Sequence, residues 1–131
     1  MIARAALSAL LLGFALPAQA DTLYDSCIAG TTTNSDWAAC GWAWVDREDA
    51  RLNRIWKSAY ADLPPASKAA LLAEQRVWIA YKDKSCLWHA SGDWGREGQV
   101  LDTPMCRAGV IAARTDYLEH LDSPGEDEMP K

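Results

Sequence analysis

The sequence predicts an all-α fold: a small antiparallel bundle of three main helices, closed by disulfide bonds. Three observations predict it. Apolar residues recur at i, i+3, i+4 and i+7 over long stretches. No stretch of any length alternates in the manner of a strand, and no internal repeat is visible. Four cysteines stand in a chain of 131 residues that opens with an export signal.

That signal comes first in chain order. Arg4 supplies a positive start, residues 5–16 an apolar run, and Ala18-Gln19-Ala20 a small-x-small cleavage site. Residues 1–20 therefore read as a signal peptide, with Asp21 as the mature N-terminus. The apolar run is shorter than the roughly 20 residues that a membrane-spanning helix needs. No cysteine at the cleavage point is available for lipid attachment, so the expected location is periplasmic or secreted, with no membrane span left after cleavage. What remains is one domain by length, residues 21–122, followed by a tail, residues 123–131, whose Glu126, Asp127 and Glu128 predict disorder. The net charge of −5 grows by one unit when Arg4 is lost. An acidic domain of this size argues against nucleic acid and anionic membrane surfaces as partners, and suits a cationic protein.

Residues 21–33 read as a lead-in, with Gly30 and three consecutive threonines marking a loop. Ser35 or Asp36 is the expected cap of the first helix, because a side-chain oxygen there accepts the free amides of the first turn. The stripe Val45, Leu52, Ile55, Trp56, Ala59 and Leu63 carries that helix to about residue 63. Pro64-Pro65 ends it, since proline disfavours helical geometry in the residue before it. The second helix is expected over 67–88, where Leu71 and Trp78, and likewise Ile79 and Cys86, fall two turns apart near one face. Residues 91–103 contain Gly92, Gly95 and Gly98 without a usable period and read as a loop. Thr103-Pro104 is a cap followed by a proline at the first helical position, starting a third helix at 104. Ala108, Ile111, Thr115 and Leu118 share one face of it as far as about residue 121.

Four cysteines in an exported chain favour disulfides over a metal site, and no C-x-x-C pair is present to hold zinc. Three pairings are formally possible. Cys27–Cys40 with Cys86–Cys106 is preferred because each closes a short local loop, worth roughly 3 kcal/mol on the chain-entropy estimate.

Catalytic signatures are missing: the sequence has no H-E-x-x-H, G-x-S-x-G, P-loop or dinucleotide fingerprint. The two histidines, His89 and His120, lie near helix ends, where imidazoles meet free carbonyls. Asp93, Glu97 and Asp102 are carboxylates in a loop, and the bland reading is that they are solvated. No catalytic residue, cofactor or metal is expected. Polar residues at the seams, Asp49, Asn53, Gln75, Arg76, Asp83 and Arg114, are expected to satisfy one another in a structural network, since unpaired buried polar groups cost a few kcal/mol each. Among seven tryptophans, Trp56 and Trp78 fall on the apolar stripes, and Trp42 and Trp44 cannot share a face. Trp94, in the loop, is the best candidate for an interface anchor. The expected partner-binding set is Asp93, Trp94, Arg96 and Glu97. The rival reading folds Trp94 back as a lid over the bundle.

Asp49-x-x-Leu52-Asn53, then Gln75-Arg76-x-Trp78 running into Asp83-x-x-Cys86, then Cys106 with Arg114-Thr115-x-x-Leu118, resembles the lysozyme inhibitor LprI family. The likeness covers about residues 27–121. This chain departs from the pattern at Lys82, where members often carry arginine, and at Ser91-Gly92-Asp93-Trp94, where they carry a small Gly-Gly-Ser patch. It also lacks the lipoprotein cysteine of the namesake. The resemblance implies a helical, disulfide-bonded protein of the bacterial envelope, and its name implies lysozyme as the cationic partner. The favoured expectation is thus a periplasmic inhibitor of lysozyme-type muramidases. The alternatives are a general envelope module, binding cell-wall glycan or serving as an immunity partner to a toxin, and an enzyme acting on peptidoglycan.

Overall fold

The computed structural model describes residues 21–121; the signal peptide expected over 1–20 and the acidic tail expected over 123–131 lie outside the described residues. The helices are α1 (Thr22–Ala29), α2 (Asn34–Ala61), α3 (Pro65–Lys84), the single turn α4 (Gly95–Glu97) and α5 (Thr103–Leu121), with a π-helical run Gly98–Asp102 between the last two. No strand occurs among the described residues. Both expected disulfides are present, with Cα–Cα separations of 5.8 Å at Cys27–Cys40 and at Cys86–Cys106.

The lead-in is a helix rather than a loop. Asp21 caps α1, its Oδ1 accepting the amides of Leu23 and Tyr24 at 2.9 Å each. Nothing in α1 is fully buried, so no apolar stripe announces it. Three ties hold it to α2: the Cys27–Cys40 bond, the Tyr24–Trp44 ring contact at 4.9 Å, and Arg47, whose Nη2 donates to Asp21 Oδ2 at 2.7 Å. The cap of α2 is Thr33, whose Oγ1 accepts the Asp36 amide, and not Ser35 or Asp36. Pro65 itself occupies the first turn of α3, where its missing N–H costs nothing.

Asp21 is a single residue doing two jobs, which makes it testable. Burial alone would raise its carboxyl, but the Tyr24 amide and the Arg47 guanidinium outweigh that and hold it below the usual carboxylate range. A depressed carboxylate stabilises the fold fully above its unfolded value of about 4, and that share is lost as pH falls through the lower folded value. Asp21→Ala is expected to cost about 1–2 kcal/mol, mostly through the lost cap. Thermal melts from pH 7 downward check this: the variant should differ clearly from wild type at pH 7, and the difference should shrink as pH falls below about 4.

The core forms where α2 lies along α5. Val45, Leu52 and Ala59 meet Ala108, Ile111 and Leu118, with Leu71 of α3 closing one side. Trp44, Ile55, Trp56, Tyr60, Leu63 and Trp78 pack around this cluster. Thr115 is fully buried, and its hydroxyl donates back to the Ile111 carbonyl at 3.0 Å. Gly41 permits the close approach of α2 to α5, because a Cβ there would lie 2.5 Å from Pro104 Cγ. At the other end Arg51 Nη2 reaches Asp116 and Glu119 of α5, at 2.7 and 2.8 Å. The second main helix, α3, is less deeply engaged: only Leu71 and Gln75 are buried on it. Ile79, expected on the core face, is 43% exposed.

Candidate functional site

The second main helix stops at Lys84, a turn short of the expected end. Ser85 is extended, and Cys86 adopts the left-handed region at φ 71°, a conformation disfavoured for a side chain with a Cβ. The reversal turns the chain out of α3 and buries the Cys86 sulfur against Cys106 on α5. Residues 87–105 are thereby held at both ends by one disulfide. The stretch expected to be unpatterned is built from turns. Gly95, at φ 64°, starts α4, and the π-helical run continues directly into α5. Thr103 is consequently not a cap. The chain arrives already helical, and Thr103 Oγ1 donates to the Gly98 carbonyl at 2.8 Å, closing the wide turn.

The outer face of this loop is aromatic and acidic. Trp88 and Trp94 are 54% and 52% exposed and meet edge to face, with centroids 5.0 Å apart. His89 stacks on Trp88 at 3.7 Å. Gly98 lies beneath them, and a Cβ there would come within 2.7 Å of the His89 carbonyl and collide with the Trp94 side chain. Trp94 therefore rests on Trp88 and Gly98, and is not among the side chains packed against the bundle core. Asp93, Arg96 and Glu97 are all exposed, and Arg96 donates to Gln99 Oε1 at 3.0 Å. Behind the aromatic pair, His89 Nδ1 is buried without a hydrogen-bond partner among the described residues, 4.0 Å from Asp102 Oδ2. Asp102 also reaches α1: burial pushes the Tyr24 hydroxyl up, and the negative charges of Asp25 and Asp102 add to the shift.

The six polar seam residues do not form one network. Gln75 and Arg114 meet inside the bundle, Arg114 Nε donating to Gln75 Oε1 at 2.9 Å, and Arg114 also pairs with Glu74. Asp49 faces Lys82 at 3.6 Å, and Asp83 faces Arg107 at 3.4 Å. Asn53 and Arg76 are exposed and join none of these pairs. His120 Nδ1 lies 2.6 Å from the Asp116 carbonyl one turn back. Among the described residues no three His, Cys, Asp or Glu side chains gather as a metal-binding set, and no helix is long and apolar enough to cross a membrane.

Trp88 and Leu87 escaped the sequence reading as surface candidates. Both fall within the helix expected over 67–88, whereas in the structure they follow the left-handed Cys86 and are 54% exposed. The sequence model of one family, described as Lysozyme inhibitor LprI, matches residues 27–118. No curated protein and no solved structure matches the chain.

Proposed function

The chain belongs to the lysozyme inhibitor LprI family, and from that premise we propose that it is a periplasmic or secreted protein that binds a cationic lysozyme-type muramidase and obstructs its cleft with the disulfide-closed loop. It acts by binding, with no chemistry or cofactor of its own. The observation that carries this reading is the half-exposed Trp88–Trp94 pair beside Asp93 and Glu97, on a loop tied at both ends. A helical bundle is convex, whereas a glycosidase cleft is concave and is blocked by something that projects. Indole rings supply large buried area at low entropic cost, and carboxylates at the rim meet a cationic enzyme. The disulfide reduces the ordering entropy lost on association. Two disulfides and an acidic chain suit an oxidising compartment outside the cytoplasm.

The test is the clearing of a bacterial cell-wall suspension by lysozyme, with and without the purified protein, across a range of salt. Inhibition is expected, and it should weaken as salt screens the attraction. Trp94→Ala should weaken inhibition at least about tenfold, as for an aromatic hot spot, while the melting temperature stays within about 2 °C. A large fall in melting temperature would instead assign Trp94 a packing role. Full inhibition by the Asp93, Trp94 and Glu97 triple alanine variant would refute the loop as the working surface. Retention on insoluble cell wall together with no inhibition of lysozyme would favour the envelope-module reading.

A further inference from the structure

A concave surface lies between α3 and α5; of its lining only Cys106, the anchor of the inhibitory loop, belongs to the surface already described. It is an open groove of about 800 Å³. Trp78 and Tyr81 line it from α3, and Gly109, Ala113 and Tyr117, one turn apart, line it from α5. Tyr81 and Tyr117 are 58% and 50% exposed, an unusual cost for two aromatic rings facing one trough. The groove also contains a buried charge. The Arg114 side chain is only 6% exposed, sits 5.2 Å from the Tyr117 ring and 5.8 Å from the Trp78 ring, and lines the groove. Gln75 takes its Nε and Glu74 its Nη1, but its Nη2 is buried with no acceptor among the described residues. Buried guanidinium N–H groups without partners are rare and expensive.

We propose that this groove is a second binding site, for a short strand of N-acetylated glycan. The chemistry of each surface selects that occupant. Aromatic walls stack on the C–H faces of pyranose rings, while a groove open along one side leaves the hydroxyl groups in water. The open space at Gly109, beside Ala113, admits an acetamido methyl group. Arg114 Nη2 supplies the missing donor for a carbonyl or carboxylate oxygen on the strand. Glu74, half exposed, is free to swing aside or to accept a sugar hydroxyl. From Cys106 to Tyr117 the helix rises about 16 Å, a length of roughly three pyranose rings. A wholly apolar ligand would leave Arg114 Nη2 without an acceptor, and a small anion would leave the aromatic rings bare. The site is independent of the lysozyme-binding loop: an inhibitor that also holds the wall strand would be stationed where its target cuts.

The experiment titrates the isotope-labelled protein with the trimer of N-acetylglucosamine and, separately, with a soluble glycan strand containing muramic acid. Backbone amide shifts should concentrate on α3 and α5 around Gly109, Ala113 and Tyr117, leaving residues 93–97 unmoved. Gly109→Leu is the informative variant, because nothing lies within 4 Å of a Cβ placed there. A side chain there starts into open space in the lining of the groove, so the fold should persist while glycan affinity falls at least tenfold and lysozyme inhibition is unchanged. Tyr117→Ala should lower glycan affinity similarly. Binding of the trimer assigns the acceptor to the acetamido carbonyl, and binding of the muramic strand alone assigns it to the carboxylate; either supports the site. Failure of both ligands to bind, shifts mapping elsewhere, or unchanged affinity in Gly109→Leu would overturn it. Shifts that depend on protein concentration alone would overturn it too, marking the face as a contact between copies of the chain.

Discussion

Ile111→Ala is expected to lower the unfolding free energy by about 3–4 kcal/mol and the melting temperature by more than roughly 10 °C. Ile111 is fully buried in the seam between α2 and α5, within the cluster of Val45, Leu52, Ala108 and Leu118. Truncation removes apolar area and leaves a cavity, and two helices packed this closely relax only partly to fill it. Ile79 is the matched control. It has the same chemistry and was expected on the apolar seam, yet it is 43% exposed. Ile79→Ala should cost under about 1 kcal/mol, since much of its surface is already in water. Urea unfolding followed by far-ultraviolet circular dichroism separates the two. Equal losses at both positions would mean that α3 packs far more tightly than described above.

Removal of the second disulfide, by Cys86→Ser with Cys106→Ser, is expected to cost roughly 3 kcal/mol on the chain-entropy estimate and, in addition, to abolish most of the proposed lysozyme inhibition. The two losses have different origins. Stability falls because the unfolded chain regains the freedom that the cross-link denied it. Binding falls because Cys86 is held at φ 71° by its bond to Cys106. Serine at that position has every reason to return to an ordinary backbone conformation. Trp88 would then leave Trp94, and the paired indoles would have to be reassembled at the moment of contact. The Cys27–Cys40 bond closes a shorter loop, and its removal by Cys27→Ser with Cys40→Ser should cost a similar amount of stability. It frees α1 rather than the loop, so inhibition should persist at temperatures where the variant remains folded. Equal loss of inhibition in both double variants would show that the effect is general destabilisation.

How legible the molecule was depends on whether a feature needs one segment or several. The buried faces of α2 and α5 were readable because helical periodicity is a local property: Val45, Leu52 and Ala59 on one, Ala108, Ile111, Thr115 and Leu118 on the other. Local loop closure likewise pointed to the observed cysteine pairing. The first helix was not readable as such. Eight residues without a buried face form a marginal helix in water, and its stability comes from Arg47, Trp44 and Cys40 further along the chain. The expectation for Thr103 failed for a related reason. A hydroxyl before a proline resembles a cap only if the chain arrives extended, and here it arrives from a π-helical turn.

The sequence by itself determined the helical class, the two cross-links, the acidic charge and the motifs that place the chain in its family. Each is written in the order and spacing of residues along a single segment, where near neighbours and covalent pairing decide the outcome. Only the tertiary structure decided which side chains face water and which face one another. Trp88 meets Trp94 because one backbone residue reverses its φ angle. Gln75 and Arg114 find each other from separate helices while Asn53 and Arg76 are left in solvent. Tyr81 and Tyr117 line one groove although they stand on separate helices. Such pairings depend on rotations and separations of whole helices, which are set by the packing of the complete core and by no local pattern.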